Sequence, residues 1–600
     1  MFIREIKKKN PDSDRVFMYH RLMESVRTPK GPRQRIVLNL GRLDLPREDW
    51  KTLANRIEEI VSGQQSLISL SAHIEEQAQH YARLLRRKEM QSVCVLEEEE
   101  ADWERVDINS VSQGECRTIG GEAVACAAFE KLGLTEVLSE IGLKKGQIHK
   151  AALLVIGRLL HPASERKTAL WGKRISGLEE LLGADFQYLS NNALYRLSDQ
   201  LVEYREEIER RLAQRERGIF GLGEKIILYD LTNTYLTGRA HESSKARFGR
   251  SKQKRSDCPL VTLALVLDED GFPKASRVFP GNVGEPGTLR EILKELQADR
   301  SLFPPTVVMD AGVATEENIE LIRQAGYHYV CVSRSRPRES PQEGLMVIKE
   351  EDACTIRVKK LTNDEEVILY CQSSLRLQKE ESMKARLQKR FEEGLESISD
   401  SLKKKRGIKS HDRVLQRLGR LREKYPSINQ FYRIEVEHEG GIVQRITWSI
   451  DEQERLQARF SGSYYIRSDR SDLNEKELFS LYTMLTQVED AFRSLKSELG
   501  MRPVYHRKDR RMEGHLFITV LAYHLLASIQ RDLKNKGISH RWSTIRTQLA
   551  TQMRATVSLS NDQGERIHIR QTTDPEPFHL QIYRALGLPP KCLRSRRVKM

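Results

Sequence analysis

Hydrophobic and polar positions change rhythm several times along this chain. Near the N-terminus, "RVFMYHRLMESVR" and "PRQRIVLNLGRLD" are β-prone runs on either side of a Lys/Pro/Gly turn, which predicts two short strands. Helices are predicted near 48–62 and over about 70–90. The acidic stretch "LEEEEADWE" reads as a solvated linker closing a small α+β unit, residues 1–105, with possible DNA contact. From 106 to 220 the period becomes helical. "GGEAVACAAFEKLGLTEVLSEIG", "KAALLVIGRLLHPASERKTALWG" and "NNALYRLSDQLVEYREEIERRLAQRE" place apolar residues at i, i+3, i+4 and i+7. A helical domain ahead of a catalytic core suits recognition of DNA ends, although no clean helix-turn-helix stands out.

After residue 221 the pattern turns to strands alternating with helices. "KIILYD" predicts a strand, and "CPLVTLALVLDEDGFPKASRVFPG" predicts two strands joined at "DEDG". A helix "EPGTLREILKELQ", a strand "TVVMDAG", a Thr-capped helix "TEENIELIRQAG" and a strand "YHYVCVS" follow. A hairpin beside helix-crossed parallel strands makes an α/β core with a mixed sheet, as in the ribonuclease H-like fold. The core's first part is 221–339. Residues 340–465 interrupt it with short strands and a long basic helix around 378–424, which predicts a β-rich insertion domain. The core resumes over 466–535 with a helix from 472 to 499 and the apolar helix "EGHLFITVLAYHLLASIQRDL". Residues 536–600 form a C-terminal region, a candidate for dimerisation.

Composition narrows the function. Hydrophobic residues make up 39% and charged residues 31%, a soluble globular balance rather than a disordered one. The net charge of +15 favours a polyanionic partner, nucleic acid first. No apolar run approaches the ~18 residues of a spanning helix, the N-terminus lacks the apolar segment of a signal peptide, and the eight cysteines show no CxxC or zinc spacing. Together these features predict reduced thiols and a cytoplasmic protein with no membrane association.

Two acidic residues, Asp230 and Asp310, each end a β-like run at a turn, and sites in open α/β sheets gather at the carboxyl ends of parallel strands. On neighbouring strands they would repel unless a hard cation such as Mg²⁺ bridged them. Tyr482, Glu489 and Lys496 are spaced by seven, nearly two helical turns, and so share a face. Arg493 lies within ~40° of that stripe, whereas Asp490 points about 100° away and is rejected as the third carboxylate. The basic stretch Arg507, Lys508, Arg510 and Arg511 is a further candidate for backbone contact, as is "KKKRGIKSHDR" at 403–413. Asp268 and Asp270 sit in a hairpin turn for local reasons. His506, His515 and Trp448 read as structural.

The blocks "YDLTNTYLTG", "GRSKQKRSDCPLVTLALVLDEDGFPKASRVFPGN", "VMDAGVATEENIELI" and "YTMLTQVEDAFRSLKSELGMRPVYH" with "GHLFITVLAYHLL" resemble bacterial insertion-sequence transposases of the DDE class, in the insertion sequence four-type group. The resemblance covers the core from about 225 to 530. That family carries the signature Y-x2-R-x3-E-x6-K, matched here by Tyr482, Glu489 and Lys496. At the Arg position this chain has Leu485, which removes a phosphate ligand; Arg493 is the candidate to compensate. The resemblance implies a ribonuclease H-like core with two Mg²⁺ ions, or Mn²⁺ in their place, on Asp230, Asp310 and Glu489. It also implies Tyr482 and Lys496 at the DNA phosphate, double-stranded DNA as transposon ends and target, a homodimer in the DNA complex, and a bacterial cytoplasmic, nucleoid-associated setting. The competing readings are a transposase-derived DNA-binding protein that no longer cuts, and another ribonuclease H-like nuclease.

Overall fold

The computed structural model describes all residues except 11–12, 29–30, 44, 63–69, 93–102, 223–225, 239, 250–256, 297–303, 334–340, 342, 352–353, 363–365 and 452–461. Most of the predicted acidic linker, and residues 250–256 of the second matching block, lie outside the described residues. The chain divides into two compact units, Met1–Leu197 with Leu525–Met600, and Ser198–His524.

In the first unit, β1 (Phe2–Asn10), β2 (Ser13–Thr28) and β3 (Gly31–Gly41) form an antiparallel sheet. Its apolar positions Leu22, Leu38 and Leu40 pack on helices Trp50–Ser62 and Ala72–Ser92 through Leu53, Ile57, Ala78 and Leu85. The next segment corrects the helical reading of 106–220 at its start: β4 (Val106–Thr118) is a strand. It pairs antiparallel with Met553–Asn561, the middle of a C-terminal set that includes Arg566–Thr572 and Arg596–Lys599. Its sequence, "VDINSVSQGECRT", is almost wholly exposed, so no apolar alternation revealed it. Helices then follow, among them Gly120–Lys131, Lys145–Leu160 and Glu165–Arg174. Beneath them Glu180 accepts from Arg554 Nε at 2.6 Å and from Arg570 Nη2 at 2.5 Å, all three buried. Residues 536–600 thus fold as part of this unit.

The second unit is built on a nine-stranded mixed sheet. Its strands are β5 (Ile226–Tyr235), β6 (Leu260–Leu267), β7 (Pro273–Pro280), β8 (Thr306–Met309) and β9 (His328–Val332), then β10 (Met346–Glu351), β11 (Cys354–Thr362) and β12 (Val367–Ser373). A separate two-stranded ribbon, β13 (Tyr432–Glu439) and β14 (Ile442–Ile450), precedes β15 (Ser463–Ser468). The spatial order is β10-β11-β12-β15-β9-β8-β5-β6-β7. The β5–β8 and β8–β9 pairings are parallel, and the other described pairings of this sheet are antiparallel. Side chains alternate across a strand. Ile227, Tyr229 and Leu231 of β5 and Val307 and Met309 of β8 therefore share one face, where they pack on helices Leu289–Leu296 and Glu316–Gln324.

The segment 340–465 differs from the expected β-rich domain. Strands β10, β11, β12 and β15 extend the core sheet itself, because β15 returns to pair with both β12 and β9. Arg467 of β15 reinforces that join by bonding Glu366 at 2.9 Å and Glu316 at 2.6 Å. What projects from the sheet is a helical hairpin, Ser374–Lys403 and His411–Lys424, capped by the β13-β14 ribbon around Phe391, Leu395, Leu418 and Ile446. The long basic helix thus breaks after Lys403. A Cβ on Gly407 would fall 1.6 Å from the Ser401 carbonyl oxygen, so the turn needs glycine there.

The helix Asp509–Asn535 corrects one further expectation. It is long and apolar enough to cross a membrane, yet 89% of its most apolar window is buried inside the protein, as in a core helix.

Candidate active site

β5 does not end at Asp230 as expected: pairing with β6 carries it on to Tyr235, so Asp230 lies mid-strand, while Asp310 directly follows the end of β8. β5 and β8 pair in parallel from Ile226 opposite Thr306 to Tyr229 opposite Met309. One step further along the same register, Asp230 stands opposite Asp310 across a strand spacing of about 4.8 Å. Both lie one residue out of phase with Tyr229 and Met309, so both project from the opposite face of the sheet. Asp230 is half-buried and Asp310 exposed. Each turns one carboxylate oxygen onto the next backbone N–H, Leu231 and Ala311, at 2.7 Å.

That face is covered by Glu475–Thr483, which packs on β8 and β9, and by Leu485–Ser497, which packs on β5. The single helix predicted for 472–499 is therefore two, parted at Met484. Val488, Ala491, Phe492 and Leu495 bury the sheet-facing stripe and leave Glu489 exposed beside it. The chain beyond is stitched to the end of β5. Met501 N–H bonds the Leu495 carbonyl at 2.9 Å, and Val504 N–H bonds the Tyr235 carbonyl at 3.1 Å. Thr237 N–H returns to the Val504 carbonyl at 2.9 Å. The strand carrying Asp230 and the helix carrying Glu489 are thus fixed by backbone bonds.

Tyr482 lies within the electrostatic reach of two of the acids. Burial raises its hydroxyl above the ordinary tyrosine value, the charges of Asp310 and Glu489 raise it further, and Arg376 opposes them. Among the described residues, neither Asp310 nor Glu489 has a basic side chain within 4 Å. Acidic side chains on one face without such a partner are suited to a hard divalent cation.

The basic candidates fare differently. Lys496 lies 5.7 Å from the Phe492 ring centroid, on the same helix as Glu489. Arg493 instead pairs with Asp490 at 2.7 Å on the exposed side, so the residue expected to replace the missing arginine is engaged with the rejected carboxylate. Arg507 is exposed. Lys508 faces Glu242 at 3.8 Å, Arg510 pairs with Glu203, and Arg511 bonds Asp199 at 2.9 Å. Much of this stretch therefore holds protein to protein.

Two features escaped the sequence. Asp509, at the start of the helix Asp509–Asn535, accepts from Ser244 N–H at 3.0 Å and Ser244 Oγ at 2.6 Å, and also from Ser243; this anchors the loop after β5. Arg376, from the interrupting segment, lies over Tyr464, whose ring contacts Tyr482. Neither had a spacing motif to reveal it. A cavity of about 950 Å³ is lined by Glu206, Glu207, Arg210, Lys274 and Arg277 among others, and does not include the three acids.

Residues 221–525 match the transposase DDE domain, half of the chain. The chain belongs to that family: it is a DNA transposase, an enzyme. Residues 3–67 match the N-terminal domain of IS1634 family transposases, which makes this an insertion-sequence DDE transposase. IS1634 is the group named by that match; the four-type grouping expected from the sequence is a finer assignment. Among solved structures the chain is similar to a piggyBac transposase synaptic complex with hairpin DNA, at 10% identity and a TM-score of 0.32, over 75% of this chain and 82% of that one. A likeness that low carries no argument here. No curated protein matches the chain.

Proposed function

We propose that this transposase binds the terminal inverted repeats of its own insertion sequence, of the insertion sequence four-type group, and hydrolyses DNA at the element ends. It then joins the freed 3′-hydroxyls to target DNA. The observation that carries this reading is the register of β5 and β8, which makes Asp230 and Asp310 neighbours on the face that the helix of Glu489 covers. The core is read as ribonuclease H-like. Asp230, Asp310 and Glu489 would hold two Mg²⁺ ions, with Mn²⁺ as a substitute. Such ions, when bound, activate the attacking hydroxyl and stabilise the leaving oxygen of an in-line displacement.

The chain's own residues orient the substrate. Tyr482 offers a hydroxyl beside Asp310 and Glu489, and Lys496 offers an ammonium on the helix of Glu489. Both are assigned to the DNA phosphate. Arg507 and its basic neighbours, with Arg493, are assigned to the backbone further out, and a homodimer joins the two ends.

The test is incubation with duplexes carrying the element's terminal repeats in Mg²⁺. End-specific nicks are expected, absent in Asp310→Ala while end binding persists. Binding without cutting by the wild type would instead identify a DNA-binding descendant, and cutting indifferent to the end sequence an unspecialised nuclease.

A further inference from the structure

Position 485, where the signature that this chain resembles has arginine, is leucine, and a guanidinium from another element lies near Tyr482. Strands β5, β8, β9 and β12 all point the same way, because β12 is antiparallel to β15 and β15 antiparallel to β9. The carboxyl end of β12, Ser373, therefore reaches the same edge of the sheet as Asp310. It stands three strands from β8, about 14 Å. The helix Ser374–Lys403 starts there, with Ser373 Oγ accepting from Arg376 N–H at 3.4 Å. Arg376 is thus fixed in the first turn, at the end of the helix that favours anions.

The Arg376 guanidinium lies over the Tyr464 ring, 4.7 Å from its centroid. Tyr464 in turn contacts Tyr482, with centroids 5.9 Å apart. Arg376 Nε bonds Glu380 at 3.0 Å, and the side chain keeps 44% of its surface exposed. A guanidinium stacked on an aromatic ring and held through Nε presents both Nη groups in a fixed plane, the geometry of a bidentate phosphate contact. Through Tyr464 the guanidinium is therefore one aromatic ring away from Tyr482, on the helix that precedes the helix of Glu489.

We propose that Arg376, supplied by the segment that interrupts the core, binds a DNA phosphate next to the cleavage point and takes the place of the arginine absent at Leu485. The proposal rests on the reading of Asp230, Asp310 and Glu489 as the cutting centre.

The experiment measures single-turnover nicking of terminal-repeat duplexes in Mg²⁺, with end binding and thermal unfolding measured alongside. Arg376→Ala is expected to slow nicking about ten- to a hundredfold, the usual weight of a charged hydrogen bond, and to leave end binding little changed. Arg376→Gln keeps a long polar side chain without charge, so it serves if the alanine variant is unstable, and is expected to slow nicking similarly. Duplexes with one neutral methylphosphonate at each position around the cleavage point then locate the contact. At one position the substitution slows the wild-type protein and has no further effect on the Arg376 variants. Leu485→Arg added to Arg376→Ala is expected to recover part of the rate. Wild-type nicking by both Arg376 variants, or a methylphosphonate penalty unchanged at every position, would overturn the proposal. Failure of the wild type to cut, or cutting by Asp310→Ala, would instead overturn the reading on which it rests.

Discussion

The two units handle buried and clustered carboxylates in opposite ways. In the first unit Glu180 is buried against Arg554 and Arg570, with both oxygens bonded. Burial alone would raise its pKa, but the two guanidinium groups more than offset that and hold it below the ordinary glutamate value. In the second unit Asp310 and Glu489 sit on one face of the sheet with no such partner among the described residues. A paired, buried carboxylate stabilises a fold, while exposed, unpaired ones remain open to a ligand. The contrast separates an acid that holds structure from acids proposed to take a cation and substrate.

The contrast breaks most sharply through activity. Asp310→Ala removes the proposed metal ligand from an exposed position, and nicking of terminal-repeat DNA is expected to fall by at least about a thousandfold, with the melting temperature little changed. Glu180→Ala should do the reverse. It leaves two buried guanidinium groups without their acid, at a cost of about 3–5 kcal/mol in denaturant unfolding of the first unit. If Glu180→Ala proved neutral, the assignment of that cluster to structure would fail.

The pH dependence of stability sharpens the same comparison. Glu180 has a depressed folded-state pKa, so its contribution is fully present above the ordinary glutamate value and is lost as pH falls through the folded one. Glu209, buried in the second unit against Ser276 and Arg205, goes the other way. Burial pushes it up to about 7, against the charge of Arg205. Between its ordinary value and about 7 the folded state holds the proton more tightly than the unfolded one. Stability of the second unit is therefore expected to fall with rising pH there, by up to about 1.4 kcal/mol per pH unit. Unfolding of Glu209→Gln across that range should be flatter. The smallest effect expected is on DNA affinity. Arg507→Ala should reduce the slope of log affinity against log salt by about 0.9, and Arg511→Ala by less, because Arg511 already bonds Asp199. Equal slopes for the two variants would count against the distinction between free and engaged cations.

Local pattern made much of the fold legible. The hairpin β6-β7, the strand leading to Asp310 and the Thr315 cap of the helix Glu316–Gln324 all follow from alternation, turn residues and capping chemistry, whereas β5 runs five residues past the end expected at Asp230 because β6 pairs with it as far as Tyr235. β4 carries no apolar rhythm because it is polar and exposed, and its ladder partner lies more than four hundred residues away in sequence. The single helix over 472–499 was missed as two because the one-residue interruption at Met484 keeps helical dihedrals and carries no breaker residue. Arg493 was placed by helical angle alone, which says nothing about whether Asp490 will claim it.

The sequence alone supplies the set of chemical groups: two aspartates on β-prone runs, a Tyr/Glu/Lys stripe at heptad spacing, a basic excess and a leucine at position 485. Tertiary structure decided which of them meet. The parallel register of β5 and β8 brings Asp230 opposite Asp310, backbone bonds from Met501 and Val504 fix the helix of Glu489, and the return of β15 carries Arg376 to the same edge of the sheet. Register and strand order depend on pairings distant along the chain, and local residue pattern does not encode them.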